Sequence, residues 1–297
     1  MALSDQTIPQ GMPPRRLSAA RVAIYVFLAI SALFFIAPLY TMLVTSIKPM
    51  SEIRGGSILA LPVNPTFEAW AKAWSGACTG RNCNGVSVGF ANSFRIVLPT
   101  VFLTVLLGAI NGYALSFWRF RFANLIYTIL LLGAVIPLQV FIFPVVRLTT
   151  TVGLFGTLPG IVIIHTCFGL PFITLLYRNF YTAVPQELFN AARIDGGRFW
   201  NIFFLVMVPI SVPITIVAVI LQFTGTWNEF ILGLVFAGRE NIPITVLLNN
   251  IVGSQRGNIE YNVNMAATVI AAIVPLTVYF VSGRWFVRGI AEGALKG

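Results

Sequence analysis

Long apolar runs separated by short polar segments make up most of this chain of 297 residues. Six of the runs reach the roughly 20 residues that an α-helix needs to cross a bilayer. Their apolar residues continue around the whole helix instead of following one face, which is typical of helices in lipid. The predicted spans lie near Val22–Leu43, Ile96–Phe117, Leu125–Val146, Leu158–Tyr177, Ile202–Phe223 and Ala266–Phe286. The pattern therefore predicts an all-α, polytopic membrane protein with six transmembrane helices.

One polar segment between the fourth and fifth apolar runs, Pro185–Gly197, also predicts a helix. Pro185 and Glu187 suit the first turn, where a proline needs no donor and a carboxylate favours the helix dipole, and Gly196 supplies a stop. The apolar and small side chains fall on one face at helical spacing: Leu188, Ala191 and Ala192. About three turns, or roughly 16 Å, are too short to cross a bilayer. The segment is either a solvated connecting helix or a projection that docks into another protein.

The same segment resembles the cytoplasmic EAA loop in the membrane subunits of type I ABC importers. That loop has the pattern Glu-Ala-Ala, three residues, Gly, nine residues, Ile, one residue, Leu-Pro. Four residues of this chain match the pattern: Ala191, Ala192, Gly196 and Pro209. Three positions depart from it: Asn190 replaces the glutamate, Val206 the isoleucine and Val208 the leucine. The residues around the loop and the ending GIAEGALKG resemble the carbohydrate, maltose-type branch of these importers.

This resemblance implies the type I importer permease fold and a role as the membrane-spanning permease subunit of an ATP-driven sugar importer. The implied partners are two ATP-binding subunits, a second permease subunit and an extracytoplasmic sugar-binding protein, besides membrane lipid. ATP is then bound by the partner subunits, and no cofactor is expected in this chain. The residues expected to couple the permease to the ATP-binding subunits are Glu187, Leu188, Asn190, Ala191, Ala192, Arg193, Asp195, Gly196 and Pro209. The stretch YNVNMAATVIAAI and the ending resemble glucose-type permeases most, so glucose or a similar monosaccharide is the expected sugar.

The composition agrees with membrane insertion. The chain is 57% hydrophobic and only 9% charged, whereas about 25% of residues are charged in a soluble domain. The net charge of +10 would suggest nucleic acid in a soluble chain. Here the few charges lie between apolar runs, so we expect them to set membrane orientation and expect no nucleic-acid partner. Basic residues favour the side of the two termini once the long first loop is set aside, which predicts cytoplasmic termini in a cell inner membrane.

The spans divide the chain into five parts. They are a cytoplasmic tail (1–20), a first transmembrane helix (21–46), an extracytoplasmic loop (47–87), the ABC transmembrane type-1 permease core (88–283) and a cytoplasmic C-terminal tail (284–297). The first run is longer than the apolar region of a signal peptide and is expected to be a retained anchor. The ending, residues 289–297, is expected either to insert between the two ATP-binding subunits, as the resemblance suggests, or to be a frayed terminus.

The extracytoplasmic loop carries two local patterns. Phe67, Trp70 and Trp74 recur at helical spacing and predict a short helix on the membrane surface. Cys78 and Cys83 follow among glycines, with no histidine nearby. Two cysteines alone make a poor metal site, whereas an oxidising compartment favours a small disulfide loop.

The sequence lacks the nucleotide-binding motifs of an enzyme. It contains no Gly-x-x-x-x-Gly-Lys-[Ser/Thr] and no Gly-x-Gly-x-x-Gly, and its single histidine with scattered acids predicts no metal site. By the predicted boundaries, no Asp or Glu lies within an apolar run. Proton- or ion-coupled carriers commonly keep such a group at mid-membrane, so its absence argues against self-powered transport.

Neutral hydrogen-bonding side chains within the spans suit a sugar, whose hydroxyls need no charged partner. The candidates for the substrate path are Gln139, Gln222, Trp227 and Asn228. The alternatives are hydrogen bonds between helices for the polar groups and an interfacial anchor for Trp227. Two other functions stay open: an ATP-independent secondary carrier or channel for a neutral polar solute, and a membrane scaffold with no transport role.

Overall fold

The computed structural model describes residues 19–79, 82–118, 120–255 and 258–294. These residues are helical or form connecting segments, and the pairing of Thr79 with Asn82 is an isolated bridge outside any strand. The helices are α1 (Ala19–Ser46), α2 (Met50–Gly55), α3 (Glu68–Ser75), α4 (Ser87–Phe117), α5 (Ala123–Val135), α6 (Leu138–Thr151), α7 (Leu158–Thr182), α8 (Gln186–Ile194), α9 (Phe199–Ile202), α10 (Val208–Ile210), α11 (Val212–Asn228), α12 (Ile231–Phe236), α13 (Ile244–Ser254) and α14 (Tyr261–Ala294). The predicted all-α membrane fold is confirmed.

Four helices, α1, α4, α7 and α14, are each long and apolar enough to cross a membrane unbroken. The third and fifth predicted spans are instead bent pairs: α5 and α6 meet at 107°, and the 199–210 and 212–228 segments meet at 80°. Six spans result if each pair crosses once. Each predicted apolar run is therefore present as helix, and the structure adds that the third and fifth runs are bent.

Both bends occur at prolines. Ile136 is extended because the ring of Pro137 disfavours the helical conformation of the residue before it. In the fifth span a π-helical turn, Phe203–Met207, precedes Pro209 in α10. A proline removes one helical hydrogen bond, and π-turns and prolines are the usual causes of sharp kinks. The chain can therefore bend at both places while neighbouring backbone amides keep their hydrogen bonds.

The centre of the bundle is the pair α4 and α7. Gly108 and Gly112 lie one turn apart on α4 and face α7 directly. A Cβ on Gly108 would lie 2.6 Å from Cγ2 of Ile173, and one on Gly112 would lie 2.6 Å from Cβ of Tyr177. Such close approach through small residues four apart is a common way for membrane helices to associate, because it maximises van der Waals contact. The two helices are therefore fixed to one another over the inner half of α4.

Helix α1 lies at the periphery, and none of its most apolar window is buried within the chain. Its outer end is covered by the long loop, and the predicted loop helix is present as α3. The most buried side chains of α3 are Ala69 and Ala73, which pack in the outer core, whereas Phe67 is 69% exposed. Helix α3 is thus packed on protein through its alanines, and the expected aromatic membrane-facing side is only partly realised.

The two cysteines of the loop, Cys78 and Cys83, are joined by a disulfide. The Ser254 hydroxyl at the end of α13 donates to the Cys78 carbonyl, 2.8 Å away. A salt bridge joins Lys72 of α3 to Glu260 just before α14, with Nζ and Oε1 2.6 Å apart. The 47–87 loop is therefore tied to the segment between α13 and α14.

At the other end of the chain, α14 continues as a helix to Ala294. The predicted final span ends at Phe286, and one of the two expectations for the ending was a frayed terminus. The helix therefore extends further than expected, and residues 295–297 of the predicted tail lie outside the described residues, as does most of the 1–20 tail.

Candidate functional site

Helix α8 occupies the polar segment between α7 and the fifth span. It begins one residue later than expected, because Pro185 is the N-cap residue rather than the first helical residue. Gly196 has φ +82°, the left-handed conformation expected of it. The Gly197 amide donates to the Ala192 carbonyl at 2.9 Å, and the Gly196 amide donates to the Arg193 carbonyl at 3.1 Å. This glycine-terminated turn ends the helix and directs the chain towards α9.

The inner side of α8 is attached to its own subunit by Phe189, which is 2% exposed. The Phe189 ring stacks on Phe117, the last residue of α4, with centroids 4.8 Å apart, and meets Trp118 edge-on at 5.8 Å. Tyr113 of α4 joins this cluster to the fifth span through Phe199, 4.9 Å away. Aromatic contacts of this kind add to the free energy of burial. Helix α8 is therefore bound to both α4 and the start of the fifth span.

The outer side of α8 is exposed. Its exposed residues include most of those expected to couple to a partner: Glu187, Leu188, Asn190, Ala191, Arg193 and Asp195. Ile194 is 86% exposed, an unusual position for a large apolar side chain at a polar end of a bundle. Ala192, by contrast, is partly buried and packs against the aromatic cluster of this chain. Pro209 lies beyond α8, exposed on α10.

A cleft of about 930 Å³ separates α8 from the turn between α4 and α5. Trp118 and Arg121 lie on the turn side, and Asn190 and Arg193 lie on the α8 side. The Arg193 guanidinium lies over the Trp118 indole, 5.5 Å from the ring centroid. The cleft is polar and basic, so it suits a protein surface that carries acidic or hydrogen-bonding groups.

A second cavity, of about 290 Å³, lies among α5, α6, α7 and α11 beside the break between α5 and α6. Four hydrogen-bonding side chains line it: His165 of α7, Gln222 and Thr226 of α11, and Glu229 just after α11. His165 and Gln222 are buried, 6% and 8% exposed. The Gln222 amide donates to the Thr226 hydroxyl at 3.1 Å. This polar chamber therefore gathers four hydrogen-bonding groups within a lining that is otherwise apolar.

Two features hold these polar groups in place. Gln222 packs on Gly169 of α7, where an added Cβ would lie 2.5 Å from its Oε1 atom. Glu229 caps the start of α12, because its two carboxylate oxygens accept the amides of Ile231 at 2.9 Å and Leu232 at 2.5 Å. Amides at a helix start favour a negative charge, so these hydrogen bonds partly offset the cost of burying the carboxylate.

Of the four residues predicted for the substrate path, Gln222 lines this cavity. Gln139 is exposed on the first turn of α6, and it is its neighbour Leu138 that faces the chamber. Asn228 is exposed at the end of α11. Trp227 is 1% exposed, stacks on Phe223 with centroids 6.0 Å apart, and donates from Nε1 to the Ala271 carbonyl at 3.0 Å. Its ring is buried in packing and offers no face to a sugar or to the membrane interface.

Sequence reasoning did not select His165, Thr226 or Glu229 for the path. Glu229 lies just beyond the predicted fifth span, so it did not count as a carboxylate within an apolar run. The signal was present, since an acidic residue directly before the apolar stretch ILGLVF is a helix-start pattern. Among the described residues, no three His, Cys, Asp or Glu side chains come together in a way that would hold a metal ion.

Comparison with known proteins adds three findings. The family model described as binding-protein-dependent transport system inner membrane component matches residues 104–292. The chain is 35% identical over 72% of its length to the osmoprotective compounds uptake permease protein GgtD of Synechocystis sp., of which the match covers 72%. It is 33% identical over 86% of its length to the alpha-glucoside transport system permease protein AglG of Rhizobium meliloti, of which the match covers 67%.

The fold also has a counterpart among solved structures. The chain superimposes with a TM-score of 0.77 on a chain from the crystal structure of a bacterial ABC transporter involved in the import of the acidic polysaccharide alginate. The match covers 91% of this chain and 99% of the other at 22% sequence identity. The likeness establishes the type I importer permease architecture that the EAA-like segment had implied.

Proposed function

This chain belongs to the binding-protein-dependent transport system inner membrane component family, and on that premise we propose that it is the membrane-spanning subunit of an ATP-driven sugar importer. The family is one of transporter permeases, not of enzymes. ABC importer permeases act with ATP-binding subunits and a binding protein. We propose that here these are two ATP-binding subunits, a second permease subunit and an extracytoplasmic sugar-binding protein, with both termini of this chain in the cytoplasm.

One observation carries the proposal: α8 has an exposed outer side and an inner side attached by Phe189 to the ends of two spans. A connecting helix that only bridged α7 and α9 would need no such attachment. The outer side enters a cleft of the ATP-binding subunit, and Leu188 and Ile194 supply its apolar contacts. When ATP draws the ATP-binding subunits together, α8 moves with them.

The movement reaches the polar chamber along two routes. The first is the aromatic cluster, which joins α8 to α4, and α4 is closely packed on α7, where His165 lies. The second is the turn at Gly196, which leads through α9 and α10 to α11, where Gln222 and Thr226 lie. Because both walls of the chamber respond to α8, the chamber can face one side of the membrane and then the other. The permease thus couples a hydrolysis reaction that it does not itself perform.

The chamber's hydrogen-bonding groups favour a hydroxylated solute. Gln222, His165 and Thr226 offer neutral donors and acceptors, and Glu229 offers carboxylate oxygens, which can accept from sugar hydroxyls. We propose that the solute is a glucose-containing sugar. The resemblance of the chain's ending to glucose-type permeases and the similarity to an alpha-glucoside permease support this choice.

Glu229 also favours a second candidate, an ATP-independent carrier, because a carboxylate in the wall of a cavity among membrane spans is common in ion-coupled transport. Its two oxygens are, however, engaged by the start of α12. A carboxylate fixed in this way supports a structural or solute-binding role rather than one as a proton carrier.

The test is uptake by vesicles in which this chain is reconstituted with its partners. We expect sugar to enter only when ATP is enclosed with the ATP-binding subunits and the loaded binding protein is outside. Uptake without ATP would favour the carrier. A deletion strain with no sugar-dependent growth defect would favour the scaffold. Identifying the sugar that remains bound to the co-purified binding protein decides whether the solute is glucose.

A further inference from the structure

A lysine is buried at the extracytoplasmic end of α1. Lys48 is only 3% exposed, and its ammonium donates to the Ser57 carbonyl at 3.2 Å. In the described part of the chain no carboxylate lies within 4.0 Å of it. Glu52 is one turn further along, but its oxygens accept the amides of Val63 at 3.0 Å and Asn64 at 2.8 Å. These donors, the Val63 amide first, lower the pKa of Glu52, and the Lys48 charge adds to this lowering, so the two groups attract each other without direct contact. The Lys48 ammonium can donate three hydrogen bonds, and within the described residues it donates this one.

The ammonium faces a cavity of about 350 Å³ beside α1 and α14. The cavity wall contains apolar side chains, Ile53, Ile58 and Met265, together with Tyr261. A buried cation in such surroundings is costly unless an anion or several acceptors surround it. The geometry therefore calls for a ligand with a negative head and an apolar body.

The segment beside this cavity runs back along α1. The Tyr40 hydroxyl donates to the Leu59 carbonyl at 2.9 Å. Tyr40 lies six residues before the end of α1, about 9 Å down the helix axis. The loop therefore folds back along α1 below its outer end. Its large side chains there are exposed and apolar: Ile58 66%, Leu59 62%, Leu61 70% and Val63 82%.

We propose that this pocket binds the headgroup of an anionic phospholipid of the outer leaflet, with the phosphodiester on Lys48 and the acyl chains along α1 and the 58–63 loop. A soluble anion such as free phosphate would satisfy the ammonium but not the exposed apolar side chains. The site lies apart from α8 and the polar chamber. The inference rests on the membrane orientation proposed above but not on the identity of the transported solute.

The test measures lipid retention by the detergent-purified, assembled transporter, using phosphatidylglycerol against phosphatidylcholine in native mass spectrometry. Lys48→Met removes the charge and keeps the length, and Lys48→Arg keeps the charge. The matched control is Lys72→Met, which removes an exposed lysine of the same loop. One lysine near a membrane surface contributes enough that its loss should reduce the preference for phosphatidylglycerol about fivefold. The preference should survive in Lys48→Arg and Lys72→Met.

Three outcomes would contradict the proposal. Equal retention of the two lipids by the unmodified protein would mean that no anionic headgroup is selected. An unchanged preference in Lys48→Met would place the selectivity elsewhere. Displacement of phosphatidylglycerol by inorganic phosphate would assign the pocket to a soluble anion. Uptake activity is not the readout, so a failure here leaves the proposed transport function intact.

Discussion

At the scale of single residues, two glycines allow the role of α8 to be separated from backbone strain. Gly196 and Gly153 have similar conformations, with φ +82° and +72°. In both, an added Cβ would meet nothing within 4 Å. Gly196 follows α8, whereas Gly153 lies in the turn between α6 and α7 at the opposite end of the bundle. A side chain at either position carries the same kind of backbone penalty, about 1 kcal/mol or more.

We predict that Gly196→Asp and Gly196→Trp leave the protein inserted and abundant while sugar uptake collapses. The added side chain projects from the surface on which we propose that the ATP-binding subunit docks. Gly153→Asp, with the same strain, should retain most uptake. Asn190→Ala should be mild, because this chain already lacks the glutamate of the EAA pattern. Uptake and ATP hydrolysis in vesicles, normalised to inserted protein, measure this. Normal uptake by Gly196→Trp would reduce α8 to a connector.

The two glutamines provide a second residue-scale test. Gln222→Ala removes a buried hydrogen-bonding group from the chamber, a change worth about 1 kcal/mol, or roughly fivefold in rate. We expect the uptake rate at saturating loaded binding protein to fall by about that factor, with basal ATP hydrolysis unchanged. Gln139→Ala is the matched control, since that side chain is exposed. Equal effects of the two substitutions would count against the chamber as the substrate path.

The difference between these glutamines also shows what a sequence leaves undetermined. Gln139 and Gln222 look equivalent as polar residues within apolar runs, and only the helix break at Pro137 decides which faces the chamber. Trp227 lay at an expected interface by its position in the sequence, yet α11 turns it into the outer core. Which side of a helix faces the protein depends on packing partners that lie far away in the chain. When a helix is apolar on all sides, its own sequence does not indicate which side that is.

At the scale of elements, the attachment of α8 can be weakened without altering its outer side. Phe189→Ala removes a buried ring, a change that costs about 3–5 kcal/mol in a well-packed core. We predict that the ATP-binding subunits still bind and hydrolyse ATP, while hydrolysis loses its dependence on sugar and uptake falls. Phe122→Ala is the control, because Phe122 is 56% exposed near the same end of the bundle.

Co-purification of the ATP-binding subunits with the Phe189→Ala transporter is the companion measurement. Retained subunits with uncoupled hydrolysis match the prediction. Loss of the subunits would mean that Phe189 supports docking itself, and unchanged uptake would mean that the aromatic cluster transmits nothing.

The disulfide hairpin is the other element with a direct test. The bond between Cys78 and Cys83 closes a short loop that Ser254 holds against α13. A loop this short should contribute at most about 2–3 kcal/mol, and locally. Peptide mass mapping without reductant, on protein from its native membrane, should find the two cysteines linked. Two free thiols there would contradict the prediction, and Cys167, which is unpaired in the structure, serves as the internal control for alkylation.

At the scale of the whole molecule, the sequence predicted the architecture well and its breaks poorly. Lipid admits few backbone arrangements, so hydropathy locates spans reliably. The positions of prolines in the sequence do not locate the helix breaks with the same reliability. Five prolines lie inside helices that continue through them: Pro38, Pro99, Pro144, Pro171 and Pro275. Only the packing of neighbouring helices distinguishes these from Pro137 and Pro209.

The close packing of α4 on α7 has a mechanical consequence. Because Gly108 and Gly112 let α4 approach α7 closely, the two helices resist sliding past one another and form a stiff beam. The 25 residues of α7 make that beam about 37 Å long. If it pivots near its middle, a tilt of about 10° displaces each end by about 3 Å in opposite directions. Such a tilt would widen the opening of the chamber on one side of the membrane while narrowing the opening on the other side. The membrane would then never hold a continuous pore, and the barrier to leakage would come from the stiffness of the beam itself rather than from a separate gate.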